Sequence, residues 1–417
     1  MDMCDADRRG AGGPVRADMF GRRPRAAVLA DMLGRRLMAV RTALAALAAM
    51  FLGWAACDRG SEAPAPAPAP LATQSTKPEV TVQRVGFPSN LKADEDVRLL
   101  PAVAVRDGDG WRVDLRAWVF EPEEDAWLRG AAVDGLVTAL GLPPGSESNA
   151  VFRRRARAFL VDNESGKRVV VQIGHKEHAL EVSGANGHSE TRLRLDDADL
   201  SAPLTPVTAV LRPGDARSFT GTIVRLDPAG VSVVSDVDDT IKISEVRDKQ
   251  RLLERTFLKE FEAVPAMAAL YRGWADAGAS FHYLSASPWQ LYDALLEFAN
   301  AAGFPAGSMH LKLFRPKDSS FFSLFQDPKS YKAPLLRALI TGAPGRRFVL
   351  VGDSGELDPE VYADAYREFP DQVVAIYIRD VTDEGRDAPR YRTAFAGVPE
   401  ARWQIFDDAA EVPPTLP

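Results

Sequence analysis

Cysteine is scarce. Only Cys4 and Cys57 occur in 417 residues, and both precede the stretch whose patterning predicts folded structure. That excludes a disulfide framework and a cysteine-based zinc site from the folded part. A basic excess is missing too. The chain has 51 Lys and Arg against 58 Asp and Glu, a net charge of −7 and a pI near 5.5. Nucleic acid is not expected as a general partner, because no surplus of cations stands ready to neutralise phosphates. The short basic run "RRRAR" (153–157) does not alter this and reads as a solvated surface or strand edge. No internal repeat is evident. The apolar run "ALAALAAMFLGWAAC" (43–57) falls short of the ~20 residues that span a bilayer comfortably.

That run has another reading. Arg35, Arg36 and Arg41 precede it and small residues end it, as in an export leader. Its end, Trp54-Ala55-Ala56-Cys57, resembles a bacterial lipobox, with Trp54 where Leu is usual. Residues 1–56 are then a signal peptide, with Met32 as an alternative start that gives a leader of ordinary length. Cys57 carries lipid, or else it is incidental to an ordinary secretory signal. The leader holds nine Arg and five Asp, so the exported chain falls by four charges, from −7 to −11. "APAPAPAP" (63–70) follows, and alternating proline resists helix and sheet. Residues 57–79 read as a lipid-anchored extended linker. The expected location is the periplasmic side of a bacterial envelope membrane.

Residues 80–225 read as a β-rich, sandwich-like domain. "WRVDLRAWVF" (111–120), "RAFLV" (157–161), "RVVVQIG" (168–174) and "ETRLRLD" (190–196) alternate polar and apolar, with turn signals between them. "EEDAWLRGAAVDGLVTALGL" (123–142) breaks the pattern and predicts a helix. His175 and His178 would face opposite sides of a strand, so they do not predict a metal site.

Residues 226–417 read differently. "VSVV" (231–234), "FHYL" (281–284), "FVLV" (348–351) and "VVAIYI" (373–378) are continuous apolar runs, as in a parallel sheet buried on both faces. Helical segments lie between them, near 251–277, 288–302, 332–341 and 359–369. Alternating strands and helices predict an α/β doubly wound parallel sheet.

Ligands bind beyond the carboxyl ends of such strands. "DVDDT" (236–240) follows the first run, Ser285 the second, and "GDSGELD" (352–358) the third. Lys332 opens the helix before the third run. Asp236, Asp238, Thr240, Ser285, Lys332, Asp353 and Asp358 therefore converge on one edge. A carboxylate there can attack phosphorus. Mg²⁺ takes oxygen ligands and would relieve the repulsion between the acids. A second acid can protonate the leaving oxygen and later activate water. A hydroxyl and an ammonium neutralise phosphoryl charge.

The order D-x-D-x-T, Ser, Lys, GDxxxxD resembles the haloacid dehalogenase superfamily of phosphotransferases. The resemblance implies Asp236 as nucleophile and Asp238 as general acid and base. Thr240, Ser285 and Lys332 would bind the phosphoryl group. Asp236, Asp238, Asp353 and Asp358 make up the metal-facing acids, with Glu356 as the alternative to Asp358. "SDVDDTIKIS", "FHYLSASPWQLY", "SYK" and "FVLVGDSGELDPEVYADA" narrow this further. They resemble the catalytic domain of the actin-patch phosphatidate phosphatase family. That implies removal of phosphate from phosphatidate, giving diacylglycerol.

Alternatives stay open at this level. The substrate is a lipid phosphate or another phosphomonoester, and a non-catalytic envelope-binding lipoprotein is the contrasting class. The segment 310–332, with Phe314, Phe321, Phe322 and Phe325, is a lipid-facing loop or a core connection. Asp239 is a supporting acid or a turn cap. Trp289 is expected to pack at a helix start, and His282 to be a satisfied core residue.

Overall fold

The computed structural model describes residues 86–122, 130–313 and 328–417. The expected leader, Cys57, the Pro/Ala linker, residues 123–129 and the Phe314–Phe325 stretch lie outside these residues.

The first half is built on nine strands: β1 (Asp96–Leu99), β2 (Ala102–Asp107), β3 (Gly110–Glu121), β4 (Asp162–Asn163), β5 (Val170–Ile173), β6 (Lys176–Ala179), β7 (His188–Leu195), β8 (Leu204–Ala209) and β9 (Thr220–Leu226). The sheet order is β1-β3-β2-β9-β8-β5-β6, and β4 and β7 also pair with β3. The period-2 pattern of β3 explains this. Val113, Leu115, Ala117 and Val119 point to one face and share a core with Val171, Ile173, Leu193, Val207 and Ile223. The first and last parts of the sheet thus close over a common interior. His178 is buried on β6, whereas His175 is exposed in the turn between β5 and β6 and not on a strand.

Two helices interrupt the strands between β3 and β4, namely α1 (Ala131–Leu140) and α2 (Ala150–Ala156). The expected strand 157–161 is not one. Asn149 caps α2 by accepting from the amides of Val151 and Phe152, and the helix runs on into a 3₁₀ turn at Arg157–Phe159. Alternation over five residues could not distinguish this from the tail of a capped helix. The run 153–157 is not a uniformly solvated surface either, because Arg155 is only 4% exposed.

The second half is a six-stranded parallel sheet of β10 (Gly230–Asp236), β11 (Ser280–Pro288), β12 (Gly307–Lys312), β13 (Arg346–Asp353), β14 (Val373–Arg379) and β15 (Trp403–Phe406). The order is β12-β11-β10-β13-β14-β15, which reverses direction between β10 and β13. Its helices are α3 (Lys249–Phe257), α4 (Met267–Asp276), α5 (Tyr292–Ala302), α6 (Pro328–Gly342), α7 (Asp358–Glu368) and α8 (Pro389–Ala394). Successive residues of each strand enter different cores. Val233, Phe281, Tyr283, Val349 and Val351 pack on one side, while Val234, Leu284, Phe348, Leu350 and Ile376 pack on the other. Two-face burial is why these strands read as unbroken apolar runs. Each fully buried side chain contributes roughly 1.5–3 kcal/mol.

The expected helix 251–277 is two helices. Residues 258–266 leave the helix to bond the loop after β10, Val264 N to the Ile241 carbonyl at 2.9 Å. Pro265 and a left-handed Ala266 (φ 61°) mark the restart. Strands β12 and β15 carried no legible signal, since both are short edge strands with mixed composition. His282 is a satisfied core residue, with its ring nitrogens 2.7 Å from Ser308 Oγ and 3.3 Å from Ser232 Oγ. Trp289 is buried in the turn that starts α5.

The two halves share a core. Val133, Leu136, Leu140, Phe152 and Ala156 of α1 and α2 pack with Val233, Phe257 and Phe281. These helices are joined to the β-rich half by sequence and to the α/β half by packing.

Candidate active site

Parallel strands deliver their carboxyl ends to one edge, and the reversal of strand order opens a crevice there between β10 and β13. Asp236 is the last residue of β10 and Asp353 the last of β13. Both are essentially enclosed, at 1% and 0% exposure. Asp358 begins α7 and Lys332 stands in the first turns of α6, and both are buried.

Lys332 is the hub. Its Nζ lies 2.6 Å from Asp236 Oδ1, 2.8 Å from Glu356 Oε2 and 2.7 Å from Asp358 Oδ1. Thr240 Oγ1 donates to the other Asp236 oxygen at 3.1 Å. Asp353 Oδ1 accepts from the amides of Gly355 (2.6 Å) and Glu356 (3.2 Å). Glycine is required beside these acids. A Cβ at position 352 would sit 2.4 Å from Asp358 Oδ2, and one at 355 would sit 2.9 Å from Asp353 Oδ1. Both glycines therefore let a carboxylate approach the backbone.

The charges do not balance. Asp236, Asp353, Glu356 and Asp358 surround a single ammonium. Burial is the main cause that pushes the Asp236 and Asp353 carboxyls well above the usual carboxylate range, and the neighbouring acids add to it. Burial and Asp358 also raise Glu356. Burial works against the Lys332 charge, but Asp236, Asp358 and Glu356 overcome it and hold the ammonium firmly protonated. One carboxylate oxygen from each of Asp236, Asp353 and Asp358 lies within 4.8 Å of the others, the one such group among the described residues. Asp353 Oδ2 is enclosed and accepts no hydrogen bond among the described residues. An enclosed, unpartnered carboxylate oxygen beside two further acids suits a hard divalent cation.

Asp238 stands apart from this group. Its Oδ1 lies 2.7 Å from Lys242 Nζ and accepts from Ser244 Oγ at 2.8 Å. Its Oδ2 accepts from Ser285 Oγ at 2.8 Å and Ser287 Oγ at 3.2 Å. Burial alone would raise its carboxyl. The Lys242 ammonium and the serine hydroxyls instead bring it down to about 2. Asp238 is expected from the sequence to join Asp236 as a metal-facing acid; the three acids whose oxygens lie within 4.8 Å of one another are Asp236, Asp353 and Asp358, and the Asp238 carboxylate meets Lys242 and serine hydroxyls. Ser285, expected to face a phosphoryl group, here donates to Asp238. Thr240 donates to Asp236.

Asp239 is a turn cap. It adopts a left-handed conformation (φ 56°), which Asp tolerates better than most residues. Its carboxylate collects the amides of Ser244, Glu245 and Val246 at 2.7, 2.9 and 2.7 Å. Four further site residues escaped the sequence reading. Lys242, Ser244 and Ser287 hold Asp238. Arg390 donates to the carbonyls of Ser354 and Glu356, and so braces the loop that bears Asp353 and Asp358. Lys242 did carry a signal, a lone cation in the apolar run "TIKIS". Arg390 carried none, since it lies more than 30 residues from that loop.

Residues 231–380 match the family model described as phosphatidate phosphatase APP1, catalytic domain. The chain is 27% identical over 259 residues to phosphatidate phosphatase APP1 of Saccharomyces cerevisiae, covering 59% of this chain and 43% of that protein. It is 28% identical over 172 residues to an uncharacterised protein of Schizosaccharomyces pombe, covering 40% of this chain and 28% of that one. The chain thus spans less than half the length of either relative. The matched segment begins in β10 and ends just past β14, so it encloses Asp236, Asp238, Ser285, Lys332, Asp353 and Asp358. Residues 231–380, less than half of this chain, are thus similar to the phosphatidate phosphatase APP1 catalytic domain.

Proposed function

We propose that the chain is a Mg²⁺-dependent phosphatidate phosphatase of haloacid dehalogenase-like fold, working through an aspartyl-phosphate. The observation that carries this reading is the enclosed set of Asp236, Asp353 and Asp358 around Lys332, with an unpartnered Asp353 oxygen. Asp236, Asp353 and Asp358 would hold the metal, which supplies positive charge against the transferring phosphoryl oxygens. The Asp236 carboxylate attacks phosphorus, and the bond from phosphorus to the glycerol oxygen breaks. Asp238, kept in place by Lys242 and having taken up a proton from solvent when substrate binds, gives that proton to the oxygen. Diacylglycerol leaves. Asp238, again a carboxylate, takes a proton from water, and the water oxygen displaces Asp236 from phosphorus. Lys332, Thr240 and Ser285 neutralise the phosphoryl oxygens.

The full chain in detergent should release inorganic phosphate from phosphatidate with Mg²⁺ and none with a chelator. Faster turnover of a small soluble ester, by kcat/KM, would reduce the assignment to a general phosphomonoesterase. No release from any ester would leave an envelope-binding lipoprotein instead.

The proposal includes an anchor at Cys57, which would bring the domain to its lipid. Among the described residues no helix is long and apolar enough to cross a membrane. Cys57→Ser is expected to move the protein from the membrane to the soluble fraction. A native mass without acyl chains would count against the anchor.

A further inference from the structure

Three residues of the helical insert between β3 and β4 grip one stretch of the α/β half. Asn149 Nδ2 donates to the Leu258 carbonyl at 3.0 Å. Arg154 pairs with Glu260 at 2.6 Å. Arg155 Nη1 donates to the carbonyls of Thr256 (2.5 Å) and Lys259 (2.8 Å). These carbonyls lie at the C-terminal end of α3, where helix geometry leaves acceptors unpaired and favours a cation.

The same guanidinium lies 3.5 Å from the centre of the Phe261 ring. That ring also takes the Lys242 ammonium, at 4.8 Å from its centre. The chain beyond Phe261 runs beside residues 241–243. Ile243 N donates to the Glu262 carbonyl at 2.8 Å, and Lys242 and Ala263 form an antiparallel bridge. Lys242 Nζ then meets Asp238. One continuous path of contacts joins Arg155, Phe261, Lys242 and Asp238.

We propose that Phe261 and Arg155 are positioning residues for Asp238, acting through Lys242, so that the helical insert of the first half forms part of the catalytic support. This rests on the reading of Asp238 as the group that protonates the leaving oxygen. The physical need is clear from the side chains. Lys242 has a flexible four-carbon stem, and its head is defined only by what holds it. Asp238, Ser244 and the Phe261 ring do so. Phe261 stands in the non-helical stretch 258–266, where the Arg155 guanidinium on its face and the Phe298 ring, 5.9 Å away between centres, hold it. A ring that binds a desolvated cation contributes attraction and direction together.

The test separates positioning from general loss of structure by the leaving group. Phosphatidate releases an alkoxide that needs a proton. p-Nitrophenyl phosphate releases a stable anion that does not. Phe261→Leu in the full chain should lower kcat on phosphatidate on the order of 10- to 100-fold, because small misplacement of a catalytic group has effects of that size. On p-nitrophenyl phosphate the first step, read as p-nitrophenolate released in a single turnover, should slow less than about threefold, since general acid catalysis is worth little there. KM should be unchanged for both esters. Phe261→Tyr keeps the aromatic face and should restore kcat on phosphatidate to near the wild-type value. Should Phe261→Leu not fold, Lys242→Met leaves the Arg155–Phe261 contact intact and carries the same comparison. Equal slowing of single-turnover alcohol release from the two esters, or none on phosphatidate, overturns the proposal. A wild type that hydrolyses neither ester overturns the phosphatase reading, and this inference with it.

Discussion

Asp236→Asn is expected to remove turnover, on the order of 10⁴-fold or more, as loss of a covalent nucleophile does. The substitution changes the chemistry and little else. Asparagine has the shape of aspartate, and its carbonyl oxygen can face the Lys332 ammonium while its amide faces the Thr240 hydroxyl. The contacts at 2.6 and 3.1 Å are then kept. An amide cannot serve as the attacking carboxylate. The fold should not suffer. Burial and neighbouring acids already disfavour a charge at this position, so a neutral side chain should leave the metal-free protein as stable as the wild type or more so. Two measurements check this. Rapid quenching with isotope-labelled phosphatidate should label the wild type covalently and leave the variant unlabelled. Thermal unfolding should place the variant's midpoint at or above that of the wild type. Ordinary turnover in Asp236→Asn would end the covalent mechanism.

Lys332→Met should affect stability most. The lysine is 1% exposed at its side chain and meets three carboxylates within 2.8 Å. Removing it strands those acids in a medium that cannot solvate them, and breaking a buried ion pair in this way costs about 3–5 kcal/mol. The sign with pH follows from burial. The Asp236, Asp353 and Glu356 carboxyls are already raised in the folded protein, and loss of the ammonium raises Asp236 and Glu356 further. A folded-state carboxyl above its unfolded value holds protons that the unfolded chain has released. Its contribution is full below the usual carboxylate range and is lost as pH rises through the folded value. In metal-free buffer the variant should therefore be nearer to wild-type stability at pH 5 than at pH 8. Urea unfolding at the two pH values measures this. Equal loss at both would mean that packing of the lysine stem, not its charge, holds the site. Turnover should be absent at either pH.

Much of the site was legible because its chemistry is local. Asp236 and Asp353 each follow an unbroken apolar run, and such a run marks where a buried parallel strand ends. The need for glycine at 352 and 355 was visible only in the structure, where a Cβ would meet Asp358 and Asp353. Lys332 opened a helix beside them, and it is the hub of the acids. The same reasoning missed the direction of the Asp238 carboxylate. Position in a motif says which edge a residue reaches, not which neighbour its side chain meets there. Ser244, Ser285 and Ser287 together with Lys242 settle that, and they come from two separate segments.

By itself the sequence determined the period of the longer strands, the alternation that makes the second half an α/β sheet, and the edge on which the acids gather. These follow from burial on one face or two, which is written residue by residue. It did not determine where the helices at 131–140 and 150–156 would pack. Their apolar faces suit any apolar partner, and only the assembled tertiary structure brings Phe152 and Ala156 against Phe257 rather than the β-rich core. The burial of Arg155 was equally out of reach. A guanidinium leaves water only when acceptors surround it, and here those acceptors are carbonyls about 100 residues away, at the end of another helix.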